Sequence, residues 1–412
     1  MKAAVVGGGL AGLAAALELV DRGAHVTVFE ARPTLGGAVQ TLPERAGDPD
    51  PPPDNGQHIA LGCFDRYQRF LGRIGKLDAL HRRPLDLPVM DEGGRVSSIR
   101  PGLRGVLGYR HLSLAGRLRV ARATTRIAAA DPDEVAGATF ADLLRSFGQR
   151  HAEIERFWDV FMRPALNLRA AEAGAGYGVF TVRTALLDAQ PELLLPREPL
   201  GEMHGAAAGR ALVAAGAEVR TDTRVADLAE LDADAIVLAV PPPEAARLLG
   251  EPAPALEDSP IVSVHLLFDR RLLERPLTAL LGSDAHWVFD RGALLGAPPA
   301  AGQYLTVVSS GAPELLEIRG RELVELMAHE LTSRLGKAEL VWSRVSREPR
   351  ATFAPRPGTD GVRSPVATSR PRVFRAGAWT ESSWPPTMES AVRSGRRAAR
   401  AALSGATTKV AA

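Results

Sequence analysis

The sequence predicts an α/β fold in which a domain built on a parallel sheet is interleaved with an α+β substrate domain, which has a mixed or antiparallel sheet and a helical subdomain. Three observations carry this. The chain opens as strand, glycine turn, helix and strand, "KAAVV", "GGG", "LAGLAAALELV" and "AHVTVFE", a unit that implies parallel pairing through a helical crossover. A second αβ signal follows residue 200, and the closing segment again runs strand, turn, helix. Between them lie alternating segments of a different texture, "IVSVHLLFD", "HWVFD" and "YLTVVSS", each a strand of a second sheet. At 412 residues the chain exceeds what one ordinary core serves. The expected division is discontinuous: 1–83, 196–258 and 365–412 form the first domain. Residues 84–195 and 259–364 form the second, helical part first and sheet part after.

Each element has a local reason. Residues 2–6 are an apolar run ending at glycine, and residues 10–22 have the alanine and leucine richness of a buried helix. From Pro84 to Leu195 stretches such as "ATFADLLRSFGQRHAEIERFWDVF" keep helical periodicity. "EMHGAAAGRALVAAG" reads as helix, "AEVRTDTRV" as strand, and "ADAIVLAVPPPEAARLL" as an apolar strand broken by three prolines. A helix is expected at 320–335, then a loop rich in Pro, Arg and Gly, then "RVFRAGAWTESSWPPTMESAVRSGRRAARAAL" as strand, turn, loop and final helix. No repeat period is visible.

"VVGGGLAGLAAA" sets Gly7, Gly9 and Gly12 in the G-x-G-x-x-G spacing, after a strand and at the start of a helix, which is the context a dinucleotide-binding, Rossmann-like unit requires. Gly7 permits the tight turn, Gly9 lets the backbone approach a pyrophosphate, and Gly12 lets helix and strand pack closely. The helix N-terminus offers free N–H groups and the positive end of its dipole. Glu30 ends the second strand, where an acid accepts hydrogen bonds from ribose hydroxyls.

Composition narrows the function classes. Fifty basic against 48 acidic residues give a net charge of +2, with no footprint for nucleic acid. Lysine occurs only at positions 2, 76, 337 and 409. Cys63 is the sole cysteine, so no internal disulfide and no cysteine-based metal site can form. His265, His286 and His329 show no metal-ligand spacing, and no metal is expected. The apolar N-terminus carries three glycines and runs into Glu18 and Asp21, so no secretory leader is expected, and no other window reaches the length of a membrane span. The expected location is cytoplasmic.

After Glu30 comes "ARPTLGGAV". This acid followed by Gly36-Gly37 resembles the motif of FAD enzymes of the glutathione reductase and amine oxidase type. "FRAGAW…PPTMESAVRSG" and "VRTDTRV…AIVLAVP" resemble two further FAD segments of that superfamily. The resemblance implies FAD as cofactor, held by Gly7, Gly9, Gly12, Glu30, Arg32, Gly36, Gly37, Val225, Gly377, Trp379, Thr387 and Met388. Two positions depart from the pattern. Ala38 stands where many such enzymes have Arg or Lys, and Ala378 where many have an acid, which leaves backbone contacts and the last helix dipole to hold the cofactor.

"DNGQHIALGCFDRYQRFLGRIG", "YRHLSLAGRL", "FWDVFMRPALN", "REPLGEMH", "HWVFDR", "ATFAPRPG" and "AWTESSWPPTMESAVRSGRRA" together resemble the hydroxysqualene dehydroxylases, phytoene-desaturase-like flavoproteins of squalene and hopanoid biosynthesis. The likeness runs from Met1 to about Leu403. It implies reductive removal of a hydroxyl from a triterpenoid, an apolar pocket that excludes water, an external electron donor, and squalene or hydroxysqualene synthases as partners. An isoprenoid desaturase and a flavin amine oxidase are the alternative enzymes. Amine oxidases of this type carry a lysine near the flavin, and none lies between Lys76 and Lys337. The non-enzymatic alternative is an FAD-containing lipid-binding partner of a terpene synthase.

His58 and Asp54 are the candidates for the acid and its partner. The other reading has Asp54 and Asn55 capping a turn, Gly56 at positive φ and His58 as a structural residue. Trp158, Phe161, Trp287, Phe289, Trp379 and Trp384 either line an apolar tunnel or pack the core. Residues 95–126 hold eight arginines and no acid. Such a stretch docks on anionic lipid, which would make the protein peripheral on the inner face of the membrane, or it is a solvated arginine face.

Overall fold

The computed structural model describes residues 1–188 and 191–407; positions 189–190, within the expected segment 84–195, and 408–412, at the end of 365–412, lie outside them. Five parallel strands form the first sheet in the order Val373–Arg375, Ala235–Leu238, Lys2–Val6, His25–Phe29, Glu218–Arg220. The middle strand is buried on both faces, as its unbroken apolar run requires. Helix Leu10–Val20 packs on it and on the final helix Met388–Thr407. A Cβ at Gly395 would lie 2.0 Å from the Ala11 carbonyl oxygen, so glycine sets how closely these two helices approach.

The second sheet has seven strands in the order Leu340–Phe353, Asp258–Phe268, Gln303–Ser310, Trp287–Asp290, Leu277–Leu280, Leu87–Met90, Val96–Ile99. It is mixed: Leu277–Leu280 pairs parallel with Leu87–Met90 and the other ladders are antiparallel. Alternation divides its side chains between two cores. Trp287, Phe289 and Val308 face the helices between residues 102 and 186. Val288, Leu305 and Val307 face helix Gly320–Leu335. A third, small sheet pairs Glu192–Pro196 with Ala60–Leu61 and Leu80–Pro84.

Several elements differ from expectation. The stretch 84–195 is not wholly helical, because Leu87–Met90, Val96–Ile99 and Glu192–Pro196 are strands; at four or five residues they are too short to show a period against leucine-rich neighbours. "AEVRTDTRV" keeps strand only over Glu218–Arg220, and Asp222 turns the chain at φ 50°. The prolines of "AVPPPEAARLL" do not break a strand but start the helix Pro242–Leu249, where a missing N–H costs nothing. Part of the loop expected after residue 335 is the long edge strand Leu340–Phe353, disguised by buried Arg344 and Ser346, which bind the segment 43–55.

Candidate functional site

The first strand ends at Gly7, whose φ of +104° suits glycine and whose N–H donates to the Phe29 carbonyl at 2.8 Å. A Cβ at Gly7 would lie 2.2 Å from the Ala239 carbonyl oxygen and one at Gly12 would lie 1.9 Å from that of Gly7, whereas at Gly9 the nearest atom is the Gly37 Cα at 3.7 Å. Gly7 and Gly12 are therefore glycines for packing, and Gly9 opens onto space. Gly9 caps helix Leu10–Val20 with no side-chain bond to its first turn, so those N–H groups point out without a side-chain partner.

Two further loops close on this turn. The Glu30 carboxylate accepts from the N–H of Gly8 at 2.7 Å and of Arg32 at 2.9 Å, which fixes it at the end of the second strand. Gly36 bridges to Gly9, its N–H donating to the Gly8 carbonyl at 2.8 Å, and a Cβ at Gly37 would meet the Gly9 Cα at 2.9 Å. An open, uncapped helix start with an acid beside it and a glycine pair over it fits a dinucleotide.

The carboxy-terminal residues gather beside it. Gly377 follows the last strand and its N–H donates to Ser394 Oγ at 2.8 Å, while Trp379 donates Nε1–H to the Val240 carbonyl at 3.1 Å. Thr387 and Ser390 cap the final helix reciprocally: Thr387 N–H donates to Ser390 Oγ at 2.9 Å and Ser390 N–H to Thr387 Oγ1 at 3.3 Å. Met388 packs half-buried on the first core. The next residue, Glu389, is fully buried and accepts from the backbone N–H groups of Arg66 and Tyr67 at 3.1 and 2.8 Å. That carboxylate already shares the positive end of the helix dipole. Val225 stands across the sheet, its carbonyl accepting from Arg247 Nη2 at 3.2 Å.

Sequence reasoning missed the residue that holds this loop. Arg363 is buried under the ring of Phe353 and donates to the carbonyls of Ser382, Ala378 and Trp384 at 2.6, 2.8 and 2.9 Å. One guanidinium thus shapes the whole crossing from Gly377 to the final helix.

The polar segment 43–55 is a strap laid on the seven-stranded sheet. Arg344 binds Asp48 and, at 2.9 Å, the Pro43 carbonyl. Arg291, with 1% of its side chain exposed, binds Asp54 Oδ2 at 2.5 Å and the Pro52 carbonyl at 2.7 Å. Asn55 donates to the Ala38 carbonyl and Glu348 at 3.2 and 2.9 Å and accepts from Ser346 Oγ at 2.8 Å. Gly56 adopts φ +87° against Ser263.

Asp54 is not the hydrogen-bonding partner of His58. Its second oxygen accepts from Thr41 Oγ1 at 2.7 Å and Leu200 N–H at 3.0 Å, so its carboxylate is committed to anchoring. His58 instead has Nε2 3.2 Å from the Asn55 carbonyl, which assigns the proton to Nε2 and leaves Nδ1 as an acceptor. The ring keeps some surface but is densely surrounded, and this burial pushes its pKa down against the opposing pull of Asn55, Asp54 and Glu348. His58 is neutral at neutral pH.

A second histidine, also missed, lies close by. His204 is fully buried beneath Tyr67, donating Nδ1–H to the Leu200 carbonyl at 2.9 Å and accepting Tyr67 O–H on Nε2 at 2.7 Å. Burial pushes it down to about 4, helped by His58. A lone histidine in the Gly- and Ala-rich "EMHGAAAG" was the available signal. The aromatics divide as core packing predicts: Trp158 stacks edge-on with Phe140 and Phe157 and donates to Gln149 at 2.9 Å. Phe161, Trp287 and Phe289 are buried in the same core, while Trp384 is only partly buried, between Phe64 and Phe180. Among the described residues no cluster of metal-ligating side chains occurs and no helix is long and apolar enough to cross a membrane.

Comparison with known proteins bears on the chemistry. The family described as flavin containing amine oxidoreductase matches residues 10–403. A hydroxysqualene dehydroxylase from Sinorhizobium fredii is 29% identical, the match covering 98% of this chain and 99% of that one. A zeta-carotene desaturase from Synechocystis is 25% identical, covering 98% and 97%. Among solved structures, an oxidoreductase from Methanosarcina mazei superposes with a TM-score of 0.74 at 17% identity, covering 96% of this chain and 99% of that one.

Proposed function

The chain belongs to the flavin containing amine oxidoreductase family, which implies a flavin cofactor, and on that footing we propose that it is an FAD-dependent enzyme that reductively dehydroxylates hydroxysqualene to squalene. The observation that carries the reading is the end-to-end likeness to a hydroxysqualene dehydroxylase. The chain's own residues agree: no lysine stands between Lys76 and Lys337 to serve an amine oxidase site. His58 adjoins Ile59 in the chain, and Ile59, Leu61 and Ile261 pack on the edge of the core that contains Trp287 and Phe289.

Bound FAD supplies hydride transfer. The helix start after Gly9 would hold the pyrophosphate, Glu30 would hold the ribose, and Gly36-Gly37 with Arg32 would close over them. Val225 would serve the adenine side through its backbone, and Gly377, Trp379, Thr387 and Met388 would serve the flavin end. Replacing a C–O bond by a C–H bond consumes one hydride and one proton and releases water, and we assign the hydrogen bond to the departing hydroxyl to His58. In the structure the Nε2–H of this neutral ring rests on the Asn55 carbonyl, so it would turn from Asn55 to the hydroxyl when substrate binds, and the apolar surroundings would keep water from the developing cation.

Anaerobic incubation of photoreduced enzyme with hydroxysqualene should reoxidise the flavin and yield squalene. Reoxidation by neither this alcohol nor its analogues would sink the reading. His58→Ala should keep its flavin and lose about a hundredfold or more in turnover; wild-type product formation would remove His58 from the mechanism. The second reading, isoprenoid desaturation, is favoured by the carotene desaturase likeness and would show instead as carotene oxidation by the oxidised enzyme.

Arg363→Ala should cost about 3 kcal/mol, since three buried carbonyls lose a charged donor, and should lower the flavin retained through gel filtration, with Arg363→Lys between it and wild type. Wild-type retention in the alanine variant would show that the loop holds its shape without the guanidinium.

A further inference from the structure

Residues 95–126 carry eight arginines and no acid, and the fold sorts them. Arg95, Arg100 and Arg119 pair with Asp91, Asp86 and Glu153 at 2.8, 2.9 and 2.6 Å. Arg117 is taken up by the carbonyls of Leu107 and Leu112, and Arg126 lies over the ring of Phe147. Arg104, Arg110 and Arg122 remain exposed, with no ion pair among the described residues.

Leucines accompany them. Leu103, Leu114 and Leu118 are 62%, 63% and 54% exposed, three of the five large apolar side chains more than half exposed among the described residues, the others being Val213 and Val341. Leu103 adjoins Arg104 on helix Gly102–Gly108, and Leu114, Leu118 and Arg122 recur every fourth residue along helix Leu114–Ala129, one stripe of its surface. The two helices pack on each other, and their opposite faces place Val106, Val120, Ala123 and Ile127 in the core that contains Trp287 and Phe289. Isolated surface leucines are ordinary; here the outward leucines share two packed helices with unpaired Arg104 and Arg122, on a hairpin already anchored from within.

We propose that this hairpin, residues 102–129, is a docking face for an anionic bilayer. Leu103, Leu114 and Leu118 enter the boundary between headgroups and acyl chains, and Arg104, Arg110 and Arg122 meet lipid phosphates. Charge complementarity selects this occupant. A second copy across a two-fold axis would set the same arginines against one another. The docked hairpin puts the bilayer about one helix diameter, ~10 Å, from the apolar core beneath. The inference stands apart from the substrate assignment and does not need it.

The test is flotation of the full-length protein with vesicles of phosphatidylcholine alone or mixed with phosphatidylglycerol. Wild type should float with the mixed vesicles at low salt and progressively less as salt rises. Each arginine reversed to glutamate should lower partitioning by roughly fivefold or more, and each leucine replaced by serine by roughly tenfold. Since all six side chains are on the surface, the variants should melt like wild type. Protein left at the bottom with mixed vesicles at low salt overturns the proposal. So does equal flotation of wild type and the triple leucine variant, or equal binding to phosphatidylcholine alone. A concentration-dependent dimer that the leucine changes abolish, without flotation, assigns the face to a second copy instead.

Discussion

Acidification from about pH 7 to about pH 4 should cost the protein several kcal/mol of folding stability, and buried histidines are the reason. Burial pushes His204 down to about 4 and His265 to about 3, the latter with the guanidinium groups of Arg291 and Arg344 facing it; His58 is lowered as well, and His286 well below its ordinary value. The sign follows from linkage. Above the unfolded value of about 6.5 both states hold neutral imidazoles and stability is full. Below it the unfolded chain takes up protons that the folded one refuses, so stability falls as pH drops from about 6.5 until the folded values are reached. At about 1.4 kcal/mol for each pH unit separating folded from unfolded, His204 and His265 alone account for several kcal/mol. Urea unfolding across this range checks it. His204→Gln, which keeps an amide for Tyr67, should flatten the acid slope, and an unchanged slope would take His204 out of the account.

How far the sequence anticipated this molecule depends on where the signal was local. The glycine turn, Glu30 and the final helix are written in consecutive residues with their flanking strand or helix, and at Gly7 and Gly12 a Cβ would clash while at Gly9 there is room. The long-range residues were silent. Arg363 is a sequence neighbour of nothing it holds, and Arg291 looked like one more arginine in a chain where arginine is common. Leu340–Phe353 hid because buried Arg344 and Ser346 break its apolar alternation, their partners Asp48 and Asn55 lying almost three hundred residues away. The pairing of Asp54 with His58 failed for a related reason. Proximity in sequence suggested a dyad, but the backbone turns at Gly56 and the aspartate binds Arg291, next to the seven-stranded sheet.

That reorientation gives "DNGQH" a different purpose from the one its composition suggests. Asp48, Pro43, Pro52, Asp54 and Asn55 all bind the seven-stranded sheet or the helix after it, while Asn55 also reaches Ala38 next to the glycine pair. The strap therefore ties the glycine turn to the seven-stranded sheet, and His58 sits where it ends. A polar segment is suited to this because it lies between two apolar cores with no apolar face of its own, and its prolines lessen the backbone entropy lost on ordering.

Arg291→Met should destabilise the protein by about 3–5 kcal/mol, because it leaves the Asp54 carboxylate buried without its counter-charge. Asp54→Asn should cost less than that, since the amide oxygen still accepts from Thr41 and Leu200 while Arg291 keeps the Pro52 carbonyl. The double variant removes both charges and keeps those acceptors, so it should be more stable than Arg291→Met alone, a coupling of at least about 1 kcal/mol in the cycle. Urea midpoints of the four proteins measure this, and additive losses would mean that the pair does not act as a unit. Function separates the strap from the cofactor turn: the glycine turn and Glu30 are untouched by the substitution, so Arg291→Met should retain flavin while turnover falls with the loss of His58 placement. Loss of both together would instead show that the strap is needed to keep the glycine pair closed.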